Sequence, residues 1–166
     1  VPESAPKDRG GNRSNYMTWG LVEIPGRPLH LSVYATEAYY TGPDSRVRRF
    51  EYRKDGFVSI RAGANAGELI TKPFTLGSLA ERLTVNYQTH KGGAIRVAIE
   101  QANGQAIAGY TLAACKPLKG DSLQQHVAWK TGGDISHLRR KYPVARLRFE
   151  LKDADLYSLQ FQPWLR

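Results

Sequence analysis

Glu37 stands in Tyr34-Ala-Thr-Glu37-Ala-Tyr-Tyr-Thr-Gly42, an aromatic-rich strand end. A carboxylate in such surroundings is the group that protonates or attacks a glycosidic bond. That chemistry needs a second carboxylate across the sugar, and no partner for Glu37 can be singled out along the chain. The same side chain would serve equally well as an ion-pair partner for Arg46, Arg48 or Arg49. Asp153 and Asp155 form a second acidic pair that could coordinate a structural calcium ion, as jelly-roll domains often do; a turn whose carboxylates cap its own amides is the competing reading. The four histidines, His30, His90, His126 and His137, show no ligand spacing, and there is no Cys-x-x-Cys. Cys115 is the single cysteine, so no intrachain disulfide can form. It reads as a small buried hydrophobe, because no histidine is placed to activate it. The segment Ala62-Gly-Ala-Asn-Ala-Gly67 lacks the Lys-Ser/Thr of a phosphate loop. These residues do not assemble a self-sufficient catalytic constellation.

Binding asks for less than catalysis. A saccharide needs an exposed aromatic plane beside polar side chains, and three places offer one: Tyr39-Tyr40, Trp129 beside Lys130, and Tyr87 between Asn86 and Gln88. Tyr87 and Trp129 are in phase with Val85 and Val127, so packing is their competing reading. The opposite phase carries Thr84, Asn86, Gln88, Arg96, Arg146, Arg148 and Lys152. If those strands share a sheet, its outer face is basic and rich in hydrogen-bonding groups. Arginine there matches sulfate or carboxylate through its planar fork.

The balance of 24 Lys+Arg against 15 Asp+Glu leaves a net charge of +9, which attracts polyanions. The densest clusters are Arg46-Val-Arg-Arg49 with Arg53-Lys54, and His137-Leu-Arg-Arg-Lys141. Neither belongs to a recognisable nucleic-acid module, so nucleic acid is disfavoured as a partner and acidic or sulfated polysaccharide favoured. No apolar stretch is long enough to cross a bilayer as a helix, so no membrane partner is expected.

Hydrophobic content of 41% and charged content of 23% describe a globular chain. Sixteen glycines, nine prolines and nine tyrosines favour strands and turns. Residues 1–14 read as a flexible polar leader. The opening Val1-Pro-Glu is no signal peptide, and the missing initiator Met suggests removal of something upstream. Residues 15–56 read as a three-stranded β-meander closed by the turn Lys54-Asp-Gly56. Residues 57–166 read as an antiparallel β-sandwich of jelly-roll type. Leu83, Val85 and Tyr87 alternate on one strand, Ile95, Val97 and Ile99 on the next, and Leu147, Phe149 and Leu151 near the end. His90-Lys-Gly-Gly93 reads as a turn, Asn103-Gly104 as a hairpin, Val127 to Lys130 as a strand, and Ile135 to Arg140 as one helical turn capped by Asp134 or Ser136. The fold class is all-β.

The segment Leu31-Ser-Val-Tyr-Ala-Thr-Glu-Ala-Tyr-Tyr-Thr-Gly-Pro with Arg46-Val-Arg-Arg-Phe-Glu-Tyr-Arg-Lys-Asp-Gly resembles the last propeller blade of bacterial proteins similar to five-bladed glycoside hydrolases of families 32 and 43. Thr71-Lys-Pro-Phe, Cys115-Lys-Pro-Leu-Lys-Gly-Asp-Ser and Arg146-Leu-Arg-Phe-Glu-Leu-Lys-Asp-Ala-Asp-Leu-Tyr-Ser resemble the β-sandwich that trails those propellers. The resemblance spans about residues 15–162. It implies a secreted or periplasmic, carbohydrate-associated accessory domain that binds glycan or buttresses an upstream propeller domain or chain. It also implies that the other blades and their carboxylates are missing here. Two rival expectations are a glycoside hydrolase whose site includes Glu37 together with residues of the missing propeller, and a purely structural domain.

Overall fold

Alternation of apolar and polar residues at period two places side chains on opposite faces of a strand, and the strands follow that pattern. A computed structural model describes residues 16–37 and 46–164. The chain is all-β and antiparallel, in two compact units, Val1–Phe57 and Val58–Arg166.

In the first unit, β1 (Tyr16–Met17) and β2 (Val22–Glu23) lie in succession along one edge of β3 (His30–Glu37). β4 (Arg46–Arg53) pairs along the other edge, from His30 opposite Arg53 to Glu37 opposite Arg46. The outer ply is thus a single strand broken near Gly20, whose φ of +91° suits only glycine. Val33 and Ala35 are buried on the odd-numbered side of β3. The turn after β4 closes with the Gly56 amide donating to the Arg53 carbonyl at 3.1 Å.

The second unit is an antiparallel β-sandwich built on β8 (Arg82–Gln101) and β10 (Val144–Gln162), which pair along nearly their whole lengths. Three short strands, β7 (Phe74–Thr75), β6 (Gly67–Ile70) and β5 (Ile60–Ala62), line up along the far edge of β10. β9 (Asp121–His126) takes the far edge of β8. The inner face carries Leu83, Val85, Tyr87, Ile95, Val97 and Ile99 from β8, each at most 2% exposed, opposite Leu147, Phe149 and Leu151 from β10. Residues between and after these strands supply the covering layer: Ile107, Tyr110, Leu118, Val127, Ile135 and Leu138 are all buried in the same core.

Two register shifts keep the faces in phase. The first, at Asp153 (φ +41°), lets Ala154 and Leu156 continue the apolar face begun by Ala145 to Leu151. Without the extra residue, Asp155 would point into the core, since a one-residue slip exchanges the two faces. The second shift, between Leu156 and Ser158, returns Leu159 and Phe161 to pairing with Val85 and Leu83.

Several local expectations change. His90-Lys-Gly-Gly93 is a bend inside β8 and not a chain reversal, with Lys91 and Gly92 at positive φ. Val127 to Lys130 makes only isolated bridges, Trp129 pairing with Cys115. The Asn103-Gly104 turn forms, but its return arm is reduced to a single bridge between Glu100 and Ala106. The helical turn, α1 (Leu138–Lys141), starts later than expected and has no side-chain cap; the Asp134 carboxylate accepts instead from the Ser136 amide at 2.8 Å.

Candidate functional site

The inner and outer faces of the β8–β10 ribbon decide which expected ligand contacts are available. Trp129 is 0% exposed, packs edge-on against Tyr110, and donates its indole N–H to the Val97 carbonyl at 2.8 Å. It is a core residue and no saccharide platform, because neither ring face reaches solvent. Tyr87 is likewise buried, its hydroxyl donating to the Lys119 carbonyl. Asn86 lies on the outer face, yet it is 2% exposed, so its amide offers nothing to a ligand. Gln88 is half-buried beside the Tyr157 hydroxyl, 3.5 Å away. Tyr39 and Tyr40 lie outside the described residues, as does the leader.

The outer-face arginines share one sheet as expected, but each meets a carboxylate. Arg96 pairs across the strands with Glu150 at 3.1 Å. Arg146 donates to buried Glu100 at 2.8 Å, and Arg148 bridges Glu68 and Glu100. The guanidinium of Arg146 rests against Gly104 in the hairpin turn, where a Cβ would lie 2.3 Å from Nη2. These arginines zip strands together before they can hold anything else.

Glu37 is 2% exposed, and its Oε2 receives the Nε–H of Arg46 at 2.7 Å, with the Arg48 Nε at 3.2 Å. Of the two readings of this residue, the ion pair is the one formed.

Asp155 is 0% exposed and occupies its four acceptor positions fully. Oδ1 accepts from the Ser59 hydroxyl and Arg61 Nε, both at 2.8 Å; Oδ2 accepts from Arg61 Nη2 at 2.9 Å and His90 Nε2 at 2.7 Å. In this structure all four acceptor positions of Asp155 carry donors, and Asp153 stands at the register shift of β10 with φ +41°. Burial pushes the Asp155 carboxyl up, but the hydrogen bonds from Arg61, His90 and Ser59 outweigh it and hold the group at about 2. Serine, histidine and aspartate meet here, though not as a nucleophilic relay. The carboxylate sits in the middle, so the imidazole does not reach the hydroxyl that a general base would activate.

The remaining feature is a groove along the outer side of β8, where the chain from 106 to 119 runs past it. Three adjoining openings of about 690, 460 and 200 Å³ make it up. The first and second share Arg96, Pro117 and Glu150; the first and third share Leu112 and Ala113. Lys116 and Lys130 line the first opening, and Lys91, Lys119 and Lys152 the second. All five lysines are exposed, and none of their ammonium groups is ion-paired among the described residues. Backbone pairing sets two of them in place: the Lys116 amide donates to Ala128 at 2.8 Å and the Lys130 amide to Ala114 at 2.9 Å. Acidic residues in the groove number three, Glu100, Glu150 and Asp153. The surplus of positive charge makes this a basic concavity, whose field attracts anions.

Cys115 lines the same groove but is buried. Burial pushes its thiol up, outweighing the opposing effect of the Val97 amide, which donates to Sγ at 3.3 Å.

Sequence reasoning missed most of these lysines. The clusters it singled out, around Arg46 and around Arg139, lie in β4 and α1. Of the basic residues of the groove, Arg96, Arg148 and Lys152 carried a periodic signal; Lys116, Lys119 and Lys130 belong to loops.

Fold and groove together define an antiparallel β-sandwich protein with a basic concave surface. No family model, curated protein or solved structure matches the chain.

Proposed function

We propose that residues 58–166 form a glycan-binding accessory module whose groove takes an anionic polysaccharide, acidic or sulfated, as part of a larger secreted glycan-processing protein. The observation that carries this reading is the set of five lysines, without ion-pair partners among the described residues, along two adjoining openings. An enzyme would need an acid and base, or a nucleophile, open to the same cavity; the titratable groups with strong partners here, Asp155 and Glu37, are spent on ion pairs. The link to a glycoside-hydrolase-like parent rests on the sequence resemblance of residues 15–162.

Affinity electrophoresis through gels containing neutral or anionic polysaccharide tests it. Retardation is expected on anionic gels, reduced by moderate salt and by Lys116→Gln with Lys130→Gln. Migration unchanged on every gel would exclude glycan binding. Among the described residues no helix is long and apolar enough to cross a membrane.

A further inference from the structure

We infer that the groove reads the linear charge density of a polyanionic glycan, and not the kind of anionic group or the sugar bearing it; this rests on the groove being the ligand site proposed above. Three observations carry it. The uncommitted cations are all lysines, compact charges with rotatable donors on flexible stems, which follow an anion in any orientation. The groups built for planar, two-pronged recognition of carboxylate or sulfate are the guanidiniums, and both that reach the groove are already tied: Arg96 to Glu150, Arg148 to Glu68 and Glu100. Among the described residues no aromatic ring lines any of the three openings, so these give neither a pyranose nor a nucleobase a surface to stack on.

The lysines are also dispersed. Lys91 sits at the bend of β8, Lys152 beside it on β10, Lys116 and Lys119 on the strand-to-strand connection, and Lys130 just past Trp129. A sparsely charged polymer can engage one or two of them at once. A densely charged one engages all five, and each neutralised charge releases counterions. Affinity therefore rises with charges per unit length, whatever chemistry supplies them.

Dextrans of one length provide the test: unmodified, sulfated at a low and a high degree of substitution, and carboxymethylated to the same two charge densities. Binding of the full chain is measured by isothermal titration at several salt concentrations. At equal density, sulfate and carboxymethyl forms are expected to bind within about threefold of each other, with at least about a tenfold gain from low to high density. The logarithmic salt slope at high density is expected to approach about −4, near 0.7–0.9 per neutralised lysine. A preference above about tenfold for one anionic group at equal density would overturn the inference, as would affinity indifferent to density. So would a marked preference for a single-stranded oligonucleotide of matched charge, since that requires base stacking.

The groove reading itself fails separately. It is refuted if no dextran binds, or if Lys116→Gln with Lys130→Gln weakens binding no more than Lys72→Gln with Lys141→Gln, a pair outside the groove.

Discussion

His90 Nε2 lies 2.7 Å from Asp155 Oδ2, and because a carboxylate held at about 2 can only accept, the shared proton belongs to the imidazole. With Ser59 and Arg61 on the other side, Asp155 joins β5 and the bend of β8 to β10 from a fully buried position. The folded carboxyl titrates below the ordinary aspartate value near 3.9, so its contribution is complete above about pH 4 and is lost as the pH falls from about 4 through 2. The two-unit gap corresponds to at most about 2–3 kcal/mol; exposure of Arg61 to solvent reduces this to about 1–2 kcal/mol. Asp155→Asn should therefore be less stable than wild type at pH 6 by that amount, and the gap should close by pH 2. Urea melts across this range check it. A gap that stays constant to pH 2 would mean that the charge contributes nothing.

At Gly93 the backbone of β10 comes close against β8. A Cβ there would lie 2.2 Å from the Lys152 carbonyl oxygen and 2.4 Å from that of Asp153, both backbone atoms that cannot rotate away. Gly93→Ala should destabilise the second unit by about 3 kcal/mol, at the upper end of overpacking costs. Gly92→Ala, with open space around it but φ at +79°, should cost only about 1 kcal/mol of backbone strain. Thermal melts of the two variants compare a steric clash with a conformational one. Equal losses would show that β10 can shift to make room.

The same glycine explains where the sequence misled. His90-Lys-Gly-Gly93 has the composition of a turn, and from one strand alone nothing shows that Gly93 is small because another backbone crosses it. The alternation of Ile95 to Ile99 and of Ala145 to Leu151 was legible because both stretches have one face in the core. It loses phase at Asp153, where a bulge reads like a turn. Glu37 was legible as an ion-pair residue because Arg46 and Arg48 stand across a hairpin in the right register. The groove was not, since Lys116, Lys119 and Lys130 lie on irregular segments whose placement depends on bridges such as Cys115 to Trp129. Loops have no period to read.

Trp129 offers a direct check on burial. Trp129→Phe keeps an aromatic ring but removes the N–H that meets the Val97 carbonyl, and leaves a small cavity beside Tyr110. The expected loss is about 2–3 kcal/mol, from an unsatisfied buried carbonyl plus lost packing. Polyanion binding, measured well below the midpoint of thermal unfolding, should be unchanged. Weakened binding by a fully folded variant would mean that the indole touches ligand after all.

Glu150 makes the sharpest demand on the groove. It lines the first and second openings, lies directly opposite Arg96 in the β8–β10 register, and is the counter-ion that an incoming sulfate or carboxylate must displace or avoid. The pair is solvent-exposed on both sides, so breaking it should cost the fold only about 0.2–1 kcal/mol. Glu150→Gln removes a negative charge from the cavity and frees a guanidinium within it. Affinity for a sulfated dextran should rise by about three- to tenfold at low ionic strength, and the gain should shrink once the Debye length falls to about 3 Å near 1 M salt. Glu51→Gln, which also removes one negative charge and releases Arg27 and Arg49 but lies in the first unit and lines none of the three openings, should leave affinity nearly unchanged. Titration of both variants separates a local effect from a gain in net charge. Equal gains would place recognition in the protein's overall field, while a gain confined to Glu150→Gln places it in the groove.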